Sequence, residues 1–341
     1  MAFCQAAGEV QLREAAVPRP VGDGEVLVRV RRCGICGSDL HWYNGETPPP
    51  LVCPGHEIAG VVAAVGTGVA NLSEGDRVTA EGMRTCGACA FCRAGRRQLC
   101  PGIRILGLST PGGFADYLLT DARHLYAVPD GIDDELAQLT EPLAVGIHAL
   151  HQADFQPGGR VLVLGAGSIG LLCVPAAVAA GASEIVVSAR RPHQRDAALA
   201  LGAHRVIDPA SLRGAAVARA DAGFDLVIDT VADPKTSLED GLLAVRPGGA
   251  VVVVGVYTAR ASLDALRLMT HEIRLIGAMC YAGTGNRADF EVALGLLESD
   301  GEAIRREIVT HRVPFEALSE GFRLAADKTT GSVKVSVAIS D

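Results

Sequence analysis

Hydrophobic positions follow two different patterns along this chain, and the change between them comes near residue 159. Before it, short segments alternate apolar and polar side chains. Residues 25–32 (EVLVRVRR) alternate as a half-buried strand does, and 58–65 and 77–80 continue that style, with Gly75-Asp76 marking a turn. After it come short segments that are apolar at nearly every position, at 160–164, 184–188, 225–229 and 250–255, separated by helical sequence. Strands apolar on both faces predict a parallel sheet covered by helices. The end carries a helix from about Phe290 and a last strand, 332–339. A chain of 341 residues exceeds one ordinary core, so the pattern predicts two domains, one mainly β and one α/β.

Composition refines this picture at a few points. Residues 161–182 lack any charge and are long enough to cross a membrane, but Gly165, Gly167 and Gly170 interrupt them. That punctuation reads better as a buried strand, a glycine turn and a buried helix. Forty glycines with 4% aromatic residues fit many tight strand-to-helix turns. A net charge of −8 argues against nucleic acid or an anionic membrane as the main partner. The first nine residues lack a basic stretch followed by an apolar one, so no signal peptide is expected. The ten cysteines are then most simply reduced and the protein cytoplasmic.

Four of those cysteines, Cys86, Cys89, Cys92 and Cys100, form a C-x2-C-x2-C-x7-C run. Four thiolates so close in sequence can close a tetrahedron around Zn2+ with no position left for water, which makes a structural site. Two disulfides are the alternative, but nothing else in the chain points to an oxidising compartment. Arg84, Arg93, Arg96, Arg97 and Arg104 surround the run, so a nucleic-acid-binding zinc ribbon is a second alternative, opposed by the overall acidity.

Gly165-Ala166-Gly167-Ser168-Ile169-Gly170 is a G-x-G-x-x-G between a predicted strand and a predicted helix. In that context the first glycine allows the turn, the second lets backbone approach a pyrophosphate and the third lets helix pack on strand; the helix N-terminus attracts the anion. The α/β half is thus expected to be a Rossmann-type doubly wound sheet binding a dinucleotide, against the alternative of a glycine-rich packing turn. About twenty residues further on, an NAD site places a carboxylate. Here Ala189 is followed by Arg190 and Arg191, which favours NADP through its 2′-phosphate unless both arginines are solvated cap charges.

Three further segments, Cys33-Gly-Ile-Cys36-Gly-Ser38-Asp39, Gly55-His56-Glu57 and Glu141-Pro-Leu-Ala-Val-Gly-Ile-His148, together with the cysteine run, the glycine turn and the C-terminal ADKTTGSVKV, resemble the zinc-dependent medium-chain alcohol dehydrogenases. The sorbitol and L-idonate 5-dehydrogenase branch is the most similar. The resemblance covers essentially the whole chain and implies a GroES-like catalytic domain (1–153 and 290–341, with the zinc lobe at 84–102) and a dinucleotide-binding domain (154–289). It implies that Cys36, His56 and Glu141 ligate a catalytic zinc, with Glu57 either binding the metal or standing behind it, and that Ser38 and His41 form a proton relay. A thiolate, an imidazole and a carboxylate leave a position for substrate oxygen. The resemblance further implies a homo-oligomer, tetramer or dimer, acting on a small sugar acid or polyol. Trp42 and Tyr43, Glu141 and the ADKT segment look most like the L-idonate branch, and Arg104 resembles an arginine of that branch suited to a substrate carboxylate. A polyol or secondary-alcohol dehydrogenase using NAD is the alternative, and a non-catalytic NADP(H) sensor a more distant one.

Overall fold

The computed structural model describes residues 1–19, 22–212, 223–284 and 287–340. Its chain forms two compact units, Met1–Glu141 with Ala282–Asp341, and Pro142–Tyr281. In the first, β1 (Glu25–Gly34) is followed by a short helix α1 (Gly37–Tyr43), β2 (Glu57–Val65), β3 (Arg77–Ala80), β4 (Tyr117–Asp121) and β5 (Leu125–Ala127). Helix α2 (Thr140–Gln152) carries the chain into the second unit. There it forms β6 (Arg160–Leu164), α3 (Ser168–Ala179), β7 (Glu184–Ser188), β8 (Arg205–Ile207), β9 (Phe224–Asp229), α4 (Ser237–Ala244), β10 (Val245–Val253) and β11 (Arg274–Gly277). It then returns to the first unit with α5 (Asp289–Ile308), β12 (Val309–Pro314), α6 (Leu318–Ala326) and β13 (Lys334–Ala338).

The divisions fall at 141/142 and 281/282, earlier than the 153/154 and 289/290 expected from the resemblance. Most of α2 belongs with the second unit because it packs there on a glycine: a Cβ at Gly146 would lie 3.3 Å from the backbone of Cys173 in α3. At the return, Ala282 and Asp289 exchange hydrogen bonds, Ala282 N–H to Asp289 Oδ2 at 2.7 Å and Asp289 N–H to Ala282 O at 2.9 Å, which fastens the segment before α5 to that helix.

The first unit's seven-stranded sheet runs β12-β13-β1-β2-β3-β5, with β4 also paired to β1. Along β1 Val26, Val28 and Val30 are fully buried as the alternation predicts, while Leu27 between them is buried as well. The strand runs on past the expected end at 32, and its last residue, Gly34, pairs with Glu57 of β2 and with Ser336 of β13. That extension places the beginnings of β2 and β13 on either side of the end of β1. Phe322 of α6 gathers Trp42, Tyr43 and Phe114 around it at ring distances of 5.1, 5.3 and 5.7 Å, which fixes α1 on the core. Trp42 is thereby a packing residue, buried in the aromatic cluster.

The second unit's sheet is parallel throughout, in the order β8-β7-β6-β9-β10-β11. Val161, Leu162 and Val163 of β6 are fully buried, each contributing about 1.5–3 kcal/mol. Strand order reverses between β6 and β9, the switch point at which open α/β sheets bind ligands. Register brings Leu164, Ser188, Asp229 and Val253 into one row at the carboxyl edge. The uncharged stretch 161–182 resolves into β6, the glycine turn and α3, and among the described residues no helix is long and apolar enough to cross a membrane.

Candidate active site

The four sulfurs of Cys86, Cys89, Cys92 and Cys100 all lie within 4.8 Å of one another. Cys86 Sγ stands 3.5 Å from Cys100 Sγ and 3.9 Å from Cys92 Sγ. A tetrahedron of ~2.3 Å Zn–S bonds has edges of about 3.8 Å, whereas a disulfide needs about 2.05 Å. The cysteines are free, so the disulfide alternative fails and the donor set fits zinc. Backbone N–H groups of Cys86, Cys89 and Cys92 each donate to a neighbouring sulfur at 3.4 Å. The amides of Ala88 and Cys89 pull the Cys86 thiol down to about 6.

A polar network that no sequence motif announces joins the lobe to the sheet. His124 Nε2 accepts from the Thr85 N–H at 3.2 Å, which leaves Nδ1 to donate to Glu81 Oε2 at 2.6 Å. Arg97 Nη2 and the Tyr126 hydroxyl both donate to Glu81 Oε1, at 2.5 and 3.0 Å. His124 and Glu81 are buried, and the network ties the lobe to the sheet through Thr85 and Arg97. Arg84 is held by Glu25 and Asp121 at 3.0 and 3.2 Å and Arg93 donates to the Ala88 carbonyl, so with Arg97 three of the five lobe arginines are engaged internally. That further weakens the nucleic-acid reading.

The second cluster is assembled from separated segments. Ligand atoms of Cys36, His56 and Glu57 lie within 4.8 Å of one another. Cys36 caps α1, and its N–H donates to Asp39 Oδ2 at 3.0 Å. His56 immediately precedes β2, and Glu57 opens it. A Cβ at Gly34 would sit 2.0 Å from Glu57 Oε2, so a glycine is required opposite this carboxylate. Lys334, at the start of β13, pairs with Glu57 Oε1 and donates to the Ile35 carbonyl at 3.0 Å. Both charged side chains are fully buried. Burial opposes a charged Lys334, but Glu57 and Cys36 outweigh it and raise its pKa.

Glu57 Oε2 is buried with no hydrogen-bond partner among the described residues, a costly state for a carboxylate oxygen. Burial favours neutral His56, yet the charges of Cys36, Asp39 and Glu141 win and raise its pKa well above the usual range. An orphan carboxylate oxygen beside a sulfur and an imidazole fits a bound divalent cation, zinc by ligand type.

The other expected residues are placed as follows. Glu141, in the first turn of α2 and 5% exposed, acts on His56 by its charge but stands outside the 4.8 Å group. Ser38 Oγ is 3.5 Å from His56 Nε2. His41, in the last turn of α1, directs Nδ1 to Glu46 Oε2 at 2.6 Å. Arg104 is exposed on a two-residue strand opposite Arg84 and is not brought into the cluster. Lys334, in the C-terminal ADKTTGSVKV segment, and Gly34, between Cys33 and Ile35, have roles here that no sequence motif signals.

In the second unit each glycine of the turn has its own geometry. Gly165 has φ 94°, and a Cβ there would meet Val231 Cγ2 at 2.7 Å and Thr230 Oγ1 at 2.9 Å. At Gly170 a Cβ would lie 2.1 Å from the Gly165 carbonyl oxygen, so the helix can approach only with glycine there. Nothing stands within 4 Å of a Cβ at Gly167, and that exposed side is room for a ligand. Gly167 caps α3 without a side-chain bond, leaving the N–H groups that begin at Ser168 and Ile169 to an anion. This fits a dinucleotide. Beyond β7, Ala189 is buried, Arg190 exposed and Arg191 half-buried at the cap of the helix beginning at Pro192.

Residues 22–130 match the alcohol dehydrogenase GroES-like domain and residues 168–299 the zinc-binding dehydrogenase domain. The chain is 33% identical to sorbitol dehydrogenase of Bacillus subtilis, covering 96% of this chain and 94% of the relative. It is 34% identical to L-threonine 3-dehydrogenase of Pyrococcus abyssi (95% and 94% covered) and 32% identical to L-galactonate-5-dehydrogenase of Escherichia coli (94% and 93%). A zinc-binding dehydrogenase from Sinorhizobium meliloti solved with NADP superposes with a TM-score of 0.84 at 30% identity, covering 98% of this chain and 97% of that one. L-idonate 5-dehydrogenase of Escherichia coli gives 0.81 at 29%, covering 93% and 91%. The chain belongs to the zinc-dependent medium-chain alcohol dehydrogenases, enzymes that join a GroES-like domain to a Rossmann-type one.

Proposed function

We propose that this dehydrogenase interconverts a secondary hydroxyl and a ketone on a sugar acid, L-idonate and 5-keto-D-gluconate being the lead pair, with NADP. The convergence of Cys36, His56 and Glu57 around an unpartnered carboxylate oxygen carries the reading. Cys36 and His56 would hold the catalytic zinc, with Glu141 or Glu57 as the remaining protein ligand; zinc there supplies Lewis acidity that lowers the pKa of a substrate hydroxyl. Ser38 would take the hydroxyl proton. With His41 Nδ1 facing Glu46, Nε2 is left to carry that proton onward. Lys334 holds Glu57 in place, and the hydride acceptor is the nicotinamide of the cofactor.

Gly165, Gly167, Ser168, Ile169 and Gly170 would receive the pyrophosphate, and Arg190 and Arg191 the 2′-phosphate. The NADP-bound relative supports the cofactor choice, and the galactonate and idonate dehydrogenases support the sugar acid. Arg104 is proposed as the cation for the substrate carboxylate. The cysteine lobe would hold a structural zinc. A homodimer or homotetramer in the cytoplasm completes the reading.

The second reading is a polyol dehydrogenase using NAD, favoured by the identity to sorbitol dehydrogenase and by the exposure of Arg104. Purified protein, followed at the nicotinamide absorbance with NADP and NAD against aldonates, polyols, L-threonine and simple alcohols, separates them. Turnover of idonate and 5-ketogluconate with NADP(H) is expected. Good turnover of sorbitol or xylitol with neither sugar acid accepted would promote the polyol reading.

A further inference from the structure

Asp229 ends β9 at the carboxyl edge of the second unit's sheet, fully buried, and its two oxygens hold three separate segments. Oδ1 accepts from the backbone N–H groups of Val231 and Ala232 at 3.0 and 3.2 Å. Oδ2 accepts from the Ser237 hydroxyl, at the start of α4, at 3.0 Å and from the Tyr257 hydroxyl, beyond β10, at 2.6 Å. Ser237 Oγ and the Tyr257 oxygen also lie 2.8 Å apart. Burial and the bond to Asp229 push the Tyr257 hydroxyl well above its ordinary range, so it remains a proton donor.

The turn held this way is strained and stands against the glycine turn. Ala232 has φ 54°, a conformation that costs a residue with a Cβ and persists where its surroundings over-determine it. Thr230 donates its hydroxyl to the Leu164 carbonyl at 2.8 Å, and Thr230 and Val231 provide the atoms that a Cβ at Gly165 would strike. Val231 and Val256, on either side of the cluster, keep large apolar side chains exposed, 46% and 56%. A buried carboxylate thus fixes the turn that stands against Gly165 and Gly170, two glycines of the cofactor-binding turn.

We propose that Tyr257, acting with Ser237 through Asp229, is a positioning residue for the dinucleotide: its hydroxyl holds the 230–233 turn in the shape that the bound cofactor meets. The inference rests on the dehydrogenase reading. Loss of one such hydrogen bond, with the ring kept, is expected to weaken cofactor binding about three- to tenfold.

Titration of the wild-type protein and Tyr257→Phe with NADPH alone, read by cofactor fluorescence, tests this without turnover. The expected result is a raised Kd in Tyr257→Phe at an unchanged Tm, with KM for the cofactor rising and kcat at saturating cofactor preserved. Asp229→Asn is expected to raise the Kd further. An unchanged Kd in Tyr257→Phe, or a rise in Kd that only accompanies a lowered Tm, overturns the positioning role while the dehydrogenase reading stands. Wild-type protein that binds neither NADPH nor NADH overturns both.

Discussion

The first unit carries two cysteine-bearing clusters, and they are built on opposite plans. The Cys86–Cys100 lobe draws four identical donors from one short run, and the backbone N–H groups of that same run donate to the sulfurs. The Cys36 cluster draws unlike donors from α1 and β2, and a lysine from β13, nearly three hundred residues from Cys36 in sequence, supports it. A local, uniform donor set closes a metal in and serves folding. The geometry of a dispersed, mixed set depends instead on the sheet that brings its parts together.

The widest separation is expected from cysteine replacement. Cys36→Ser should lower kcat/KM on the order of 10^3 with the fold kept, because a metal ion contributes several kcal/mol to the reacting oxygen. Cys89→Ser should instead lose soluble, folded protein. Circular dichroism and activity measured together check the contrast, and a folded, active Cys89→Ser protein would break it.

Next comes the support of the mixed site. Lys334→Met leaves Glu57 charged and unpaired in the interior, and should cost about 3–5 kcal/mol in denaturant unfolding. Gly34→Ala forces a methyl group toward Glu57 Oε2 and should cost about 1–3 kcal/mol by overpacking. Both variants should also lose activity. Neither should change the metal content of the cysteine lobe.

Cofactor choice is a smaller effect. Replacing Arg190 and Arg191 by alanine should reduce NADP-over-NAD discrimination roughly ten- to hundredfold, the value of charge-assisted contacts to a phosphate. Equal use of both cofactors by the wild type would show these arginines to be ordinary surface charges. Smallest of all, Arg104→Ala should raise KM for an aldonate no more than about fivefold, as suits an exposed charge, with a polyol of the same length unaffected.

The difference between the clusters is also the difference in what could be read from the sequence. Cys86 to Cys100 needed only spacing, and β6 with its three glycines needed only a strand–turn–helix pattern, because each is local. Cys36, His56, Glu57 and Glu141 were joined by resemblance alone, since spacing says nothing of which distant segments a sheet brings together. Lys334 stayed hidden because a lysine in a terminal strand reads as solvated until its pairing across β1 and β2 is known. The Glu81–His124–Arg97 network and the Asp229 cluster stayed hidden for the same reason. Trp42 carries part of the resemblance to the L-idonate branch, and in the fold it packs against Phe322 in the core.

The most direct test is metal content followed alongside activity and fold during graded chelation. Two zinc ions per chain are expected at the start. Mild chelation should remove one, abolish dehydrogenase activity and leave circular dichroism unchanged, and added zinc should restore activity. A single zinc per chain that survives full inactivation would contradict the two-site account.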